Sequence, residues 1–297
     1  MRTILAAVPL LLMALSAQAA TPIDQTRPLD PRGKVEVENI KGRIQVRAWD
    51  RSEVQIRGTL GDGVEKLEVE GDGDDLQIKV RYPKGGGWGG KSSGPTDLQL
   101  MVPVRASLDL HAVSADVDVS GVAPDELSIE SVSGSVVVAA APRELSINSV
   151  SGDVTATANS GEVDIQTVSG SVILRGRLNG EVEVETVSGD INVAVKDERL
   201  RELSTNSVSG RTRVATGLAR NGKVSLSSVS GGVVLTLPRD LSAHVTAETF
   251  SGDLKAPNAT IERPEHGPGR SLDTRYGNGE GEIKLETFSG DAELRLE

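Results

Sequence analysis

Ser131-Val132-Ser133-Gly134 is the first complete copy of a phrase that punctuates the rest of the chain. It returns as Ser149-Val150-Ser151-Gly152, Thr167-Val168-Ser169-Gly170, Thr186-Val187-Ser188-Gly189, Ser207-Val208-Ser209-Gly210, Ser228-Val229-Ser230-Gly231, Thr249-Phe250-Ser251-Gly252 and Thr287-Phe288-Ser289-Gly290. Successive closing glycines are 18, 18, 19, 21, 21 and 21 residues apart, and the last step of 38 must contain an insertion. Repetition at such a period means stacked units, each unable to bury its apolar face without a neighbour.

Apolar residues alternate on both sides of the phrase, as in Leu127/Ile129 before it and Val136/Val138 after it. Period-two alternation rich in β-branched residues predicts half-buried strands, so each unit is two short strands meeting at a Ser-Gly corner. If units lie on one another about 4.8 Å apart, like residues form columns. The glycines would mark a corner where a Cβ is excluded. The valines and phenylalanines would form an apolar column, and the hydroxyls ladders bonded to one another or to the corner backbone. The fold class expected is all-β, a parallel β-solenoid of about 18–21-residue coils. An Asn-Gly-rich antiparallel meander is the competing arrangement, but it needs no column of identical corners.

Composition agrees with a thin stack. Aromatic residues make up 2% of the chain and apolar residues 37%, which suits a core about 10 Å thick filled by small aliphatics. No cysteine is present, so neither a disulfide nor a cysteine-linked lipid is available. The formal net charge of −11 gives no electrostatic reason to bind nucleic acid or anionic membranes.

The sequence divides into three parts. Residues 1–19 have Arg2, a short apolar run from Ile4 to Leu15 and Ala17-Gln18-Ala19, the pattern of a cleaved signal peptide and of a periplasmic or secreted product. No later apolar run is long enough for a transmembrane segment. Residues 20–106 are expected to form a β-rich N-terminal cap, with a worn corner at Ile40-Lys41-Gly42, an acidic turn at Asp72-Gly73-Asp74-Asp75 and a glycine-rich loop at 84–95 carrying Trp88. Residues 107–297 hold the repeats, beginning with a degenerate Ala112-Val113-Ser114-Ala115 and interrupted by the insertion 255–281. The chain closes on Glu293, Arg295 and Glu297 alternating with apolar residues, which predicts a charged final edge strand.

Chemistry is sparse. There is no Gly-x-Ser-x-Gly elbow, no phosphate-binding signature and no ligand spacing among His111, His244 and His266. No catalytic residue, metal or cofactor is therefore assigned. The residues after the corner glycines include Asp153, Asp190, Asp253 and Asp291, but Arg211 in the same column argues against a calcium ladder. Glu248 and Glu286 would stack about 5 Å apart, near the carboxylate separation of retaining glycosidases. A solvated polar stripe is the plainer reading of that pair. Candidate binding residues are Trp88 on its glycine tether and Arg263, His266, Arg270, Arg275 and Tyr276 in the insertion, because long loops on rigid scaffolds tend to carry function.

Tandem x-Leu-x-Ile-x-(Ser/Thr)-Val-Ser-Gly-(Asp/Ser)-Val-x-Val units from about Lys34 to Glu297 resemble the bacterial putative-adhesin family of β-strand-repeat domains, whose function is unknown. The resemblance implies a non-enzymatic β-solenoid of the cell envelope. The expected function is structural or interactive, binding an envelope protein or glycan through a solenoid face and the insertion. Two alternatives are kept: a carbohydrate-active β-helix enzyme using Glu248 and Glu286, and a sensor of envelope stress. The exposed end of the stack leaves self-association open.

Overall fold

A computed structural model describes residues 21–83, 93–263 and 268–297. The expected signal peptide, Trp88 and His266 lie outside the described residues. Every regular element within them is a strand. The N-terminal strands are β1 (Thr21–Pro28), β2 (Lys34–Trp49), β3 (Glu53–Leu60), β4 (Lys66–Gly71), β5 (Asp75–Arg81) and β6 (Thr96–Pro103). The repeats supply β7 (Ser107–Ser120), β8 (Glu126–Ser133), β9 (Val136–Ala140), β10 (Glu144–Ser151), β11 (Val154–Ser169), β12 (Val172–Ser188), β13 (Ile191–Ser209), β14 (Thr212–Ser230) and β15 (Val233–Leu237). The last strands are β16 (Ala243–Ser251), β17 (Leu254–Lys255), β18 (Arg270–Tyr276), β19 (Gly281–Ser289) and β20 (Ala292–Leu296).

The repeats stack in parallel and in register. Leu127, Leu145, Val163 and Val182 follow one another rung by rung, as do Val136, Val154, Val172 and Ile191 beyond the corner. Inward positions such as Ile129, Ile147, Ile165, Val136 and Val154 are buried, and their outward neighbours are not. Opposite the glycine corner the register slips, between Ser160 and Glu162 and between Gly176 and Glu181. The units of 18 to 21 residues absorb their length differences there, leaving the glycine corner constant.

Close approach fixes that corner. Gly152 has φ 139°, and a Cβ on it would collide with the carbonyl oxygen of Gly134. Each later corner glycine meets the carbonyl of the glycine beneath it in the same way, up to Gly252 over Gly290. The carboxylates after the glycine tie rung to rung: Asp153 Oδ1 accepts the Ser171 N–H at 2.9 Å, and Asp190 Oδ1 that of Arg211 at 2.9 Å. The column considered for calcium thus holds backbone donors. The expected hydroxyl ladder forms at only one end. Thr249 and Thr287 donate to Gly290 O and Gly231 O at 3.0 and 3.2 Å. The hydroxyls of Ser131, Ser149, Thr167, Thr186, Ser207 and Ser228 are buried with no hydrogen-bond partner.

Two expectations about the ends change. The segment read as a cap supplies a rung of its own, because β2 runs in register on β7 with Gly42 opposite Ala115. The worn corner at Ile40-Lys41-Gly42 is therefore a member of the stack. Next to it, β5 and β6 pair with the two halves of β2, and the antiparallel pairs β4–β5, β3–β6 and β1–β3 close that end. The acidic turn joins β4 to β5, with Asp72 N–H donating to Asp75 O at 3.0 Å.

At the other end the units are out of sequence order. β19 lies between β14 and β16, and β20 between β15 and β17. The C-terminal strand is thus flanked on both sides at Ala292 and Glu293, and only from Leu294 on does it pair with β15 alone. The outermost repeat rung is β16–β17, whose free edge is covered by β18 running antiparallel to β16. A strand from the insertion does the covering that the charged strand was expected to do, because it pairs the open donors and acceptors directly.

Candidate functional site

The rung-by-rung register determines what the stack shows to solvent. The alternation of the strand runs on through the buried hydroxyl, so the residues on either side of it, Glu130 and Val132 in the first full unit, face outward together. Repeated across ten rungs this gives two parallel rows with a groove between them, of about 1600 Å³.

One row is apolar: Ile40, Val113, Val132, Val150, Val168, Val187, Val208, Val229, Phe288 and Phe250 in spatial order. Each is between 40% and 58% exposed. The expected apolar column therefore exists, but it faces solvent and forms no part of the core. Nine rung spacings make it about 43 Å long. At its far end the Phe250 and Phe288 rings stack with centroids 4.8 Å apart and planes 4° from parallel.

The second row is polar: Glu38, His111, Glu130, Asn148, Gln166, Glu185, Asn206, Ser227, Glu286 and Glu248. His111 bridges Glu130 and Asp109 at 3.1 Å each, and Asn206 Nδ2 donates to Glu185 Oε1 at 2.9 Å. Lys79 holds Glu38 at 2.6 Å, and Lys284 holds Glu286 at 2.6 Å. Behind Glu185 the outward face is crowded with acids. Partial burial, and then the charges of Glu185, Asp164, Glu181 and Glu202, push the Glu183 carboxyl above its ordinary range.

The residues proposed from sequence meet this groove unevenly. Glu248 and Glu286 are register partners and both line it. Arg263 and Arg270 line its far end, where Arg270 is held by Gly252 O and the Asp253 carboxylate. Arg275 lies opposite His244 on the β18–β16 pair. Tyr276 packs against the core and donates its hydroxyl to Pro257 O at 2.5 Å. Both sit away from the groove lining. Sequence reasoning quoted the phrase valines but placed them in columns without asking which way they faced. The signal was there: Val132 is out of phase with the Leu127/Ile129 alternation. No cluster of three or more metal-ligating side chains occurs among the described residues.

This architecture, all-β with parallel units stacked in register, matches a family model described as Toastrack DUF4097 over residues 15–222 and 215–295. The chain belongs to that family, a domain of unknown function with adhesin-titled structural neighbours. A structure titled as a putative adhesin from Parabacteroides distasonis aligns with 93% of this chain and 97% of its own, at 12% identity and a TM-score of 0.55. Another putative adhesin, from Parabacteroides merdae, aligns over 92% and 96% at 11% identity and a TM-score of 0.50. At these identities the likeness is one of fold. No curated protein matches the chain.

Proposed function

We propose that the chain is a non-enzymatic interaction protein of the cell envelope, a β-solenoid that holds an elongated envelope protein or glycan in its ten-rung groove. The observation that carries this reading is the row of half-exposed valines and phenylalanines. A contiguous apolar strip of this length on a folded surface marks an interaction site. The stack supplies rigidity, and the insertion contributes Arg263 and Arg270 at one end. Glu248 and Glu286 serve as part of the polar wall, where Lys284 already engages Glu286, and no catalytic step is assigned to them. An exported location is supported by the signal-like residues 1–19. No helix among the described residues is long and apolar enough to cross a membrane.

The test is a photo-crosslinking residue placed at Val187 in the groove or at Val137, which is similarly exposed on another strand. In producing cells the expected result is discrete adducts from position 187 and few from 137. Equal labelling, or none at 187, would remove the groove as the binding face.

A further inference from the structure

We infer that the occupant of the groove is a single extended polypeptide segment of about 13 residues whose side chains alternate between apolar and basic. This rests on the reading of the groove as a binding face and adds the chemistry of the partner.

The two unlike walls carry the argument. An extended chain directs successive side chains to opposite sides. Lying along the groove, it would place one set against the row from Ile40 to Phe250 and the other against the row from Glu38 to Glu248. At about 3.3 Å per residue, about 43 Å takes about 13 residues.

The charge of the second wall selects the second set. Its carboxylates are Glu38, Glu130, Glu185, Glu248 and Glu286, and the lining's arginines, Arg263 and Arg270, sit together at one end. Midway along, partial burial and then the like charges of Glu185, Asp164, Glu181 and Glu202 already disfavour ionisation of Glu183. Glu38 and Glu286 already have lysine partners in Lys79 and Lys284, whereas covering Glu185 and Glu248 with an uncharged surface would strip water from carboxylates that no cation among the described residues pairs with, which is costly. Lysine or arginine side chains would pair with them and release the mutual repulsion.

The same reasoning disfavours other occupants. An acyl chain matches the valine row and leaves Glu185 and Glu248 covered without a cation. A second copy brings a groove of the same acidic sign and the same concavity.

The experiment uses the full chain and three fluorescent 13-residue peptides alternating Leu with Lys, with Gln or with Glu, together with a fluorescent long-chain fatty acid and sedimentation of the protein alone. The expected result is Leu/Lys binding at least about tenfold tighter than Leu/Gln, with Leu/Glu weakest and the preference shrinking as salt is raised. Glu130→Gln with Glu185→Gln should weaken Leu/Lys binding about fivefold or more. The same charge change at Glu65 and Glu70, exposed and outside the groove lining, should alter it less than about twofold. Val168→Ser with Val187→Ser should weaken all three peptides.

Equal affinity for the three peptides, an equal loss in the Glu65/Glu70 control, binding of the fatty acid alone, or a dimer that excludes every probe would each overturn the inference. If those outcomes came with strong crosslinking at position 187, the groove would stand as a binding face and only the partner chemistry would fall. Absence of crosslinks at 187 would remove both.

Discussion

The ring of Phe250 lies flat against that of Phe288, centroids 4.8 Å apart, although 38 residues separate them in the chain. That separation is the length of the excursion through β18, after which the chain returns to fill the rung between β14 and β16. The pair places the only two phenylalanines side by side in the apolar row.

Removal of residues 280–297 should therefore cost far more than loss of one terminal strand. It takes out β19 and β20, and with them the parallel partners of β14, β15, β16 and β17. The expected outcome in thermal melts is a separate early transition or aggregation through the opened strands. A synthetic peptide of residues 280–297 added in trans should restore the single melt.

Gly189→Ala should destabilise the fold by about 2–4 kcal/mol, because a Cβ there collides with the carbonyl of Gly170 at φ 152°. Gly73→Ala, in the β4–β5 turn with nothing within 4 Å of the added Cβ, should stay within about 0.5 kcal/mol. Chemical denaturation of both variants measures the contrast.

Thr186→Val should raise stability by about 1 kcal/mol, since it removes a buried hydroxyl that has no partner. Thr287→Val should lower it by a similar amount, because that hydroxyl donates to Gly231 O. Opposite signs from one substitution at equivalent positions would be read directly from the denaturation midpoints.

Ile165→Ala should cost about 2–4 kcal/mol as a core truncation. Val168→Ala, three residues on and 50% exposed, should change stability by less than about 0.5 kcal/mol. Equal losses at the two positions would show that the phrase valines support the core.

Glu183→Gln should raise the melting temperature near pH 7. Its carboxyl titrates above the ordinary value of 4.5 in the folded state, so the native state binds more protons than the unfolded state in the window just above that value. Stability then falls as pH rises through the window. The advantage of glutamine should shrink as pH is lowered and vanish below pH about 4. Melts of both proteins across the acid range follow this difference.

Much of the architecture was legible because a rung-by-rung stack writes its geometry into the sequence. Gly134 to Gly290 mark the corner, and Leu127/Ile129 with Val136/Val138 mark the inward face. Ile40-Lys41-Gly42 even betrayed a rung within the N-terminal part. What stayed hidden is set by long-range pairing. Nothing local tells Glu282 that its neighbours are Lys223 and His244, so the interior position of the last unit had no signature. The candidate site was half legible. Glu248 and Glu286 were correctly placed as neighbours, and the outward face of Val132 followed from its being out of phase with Leu127 and Ile129. That the outward row lines a groove depends on the shape of the whole stack, which spacing along the chain does not report.

The interleaved rung also constrains how the protein is made. A ribosome delivers β16 and β17 before β19 and β20, so a chain assembling from its N-terminus cannot lay each coil on the one just finished at this end. β16 and β17 must wait unattached, or dock on β14 and β15 and then be displaced, until the following strands emerge. The growing molecule should thus pause in a form with an unzipped tail. Helper proteins and proteases would meet that tail before the finished surface exists.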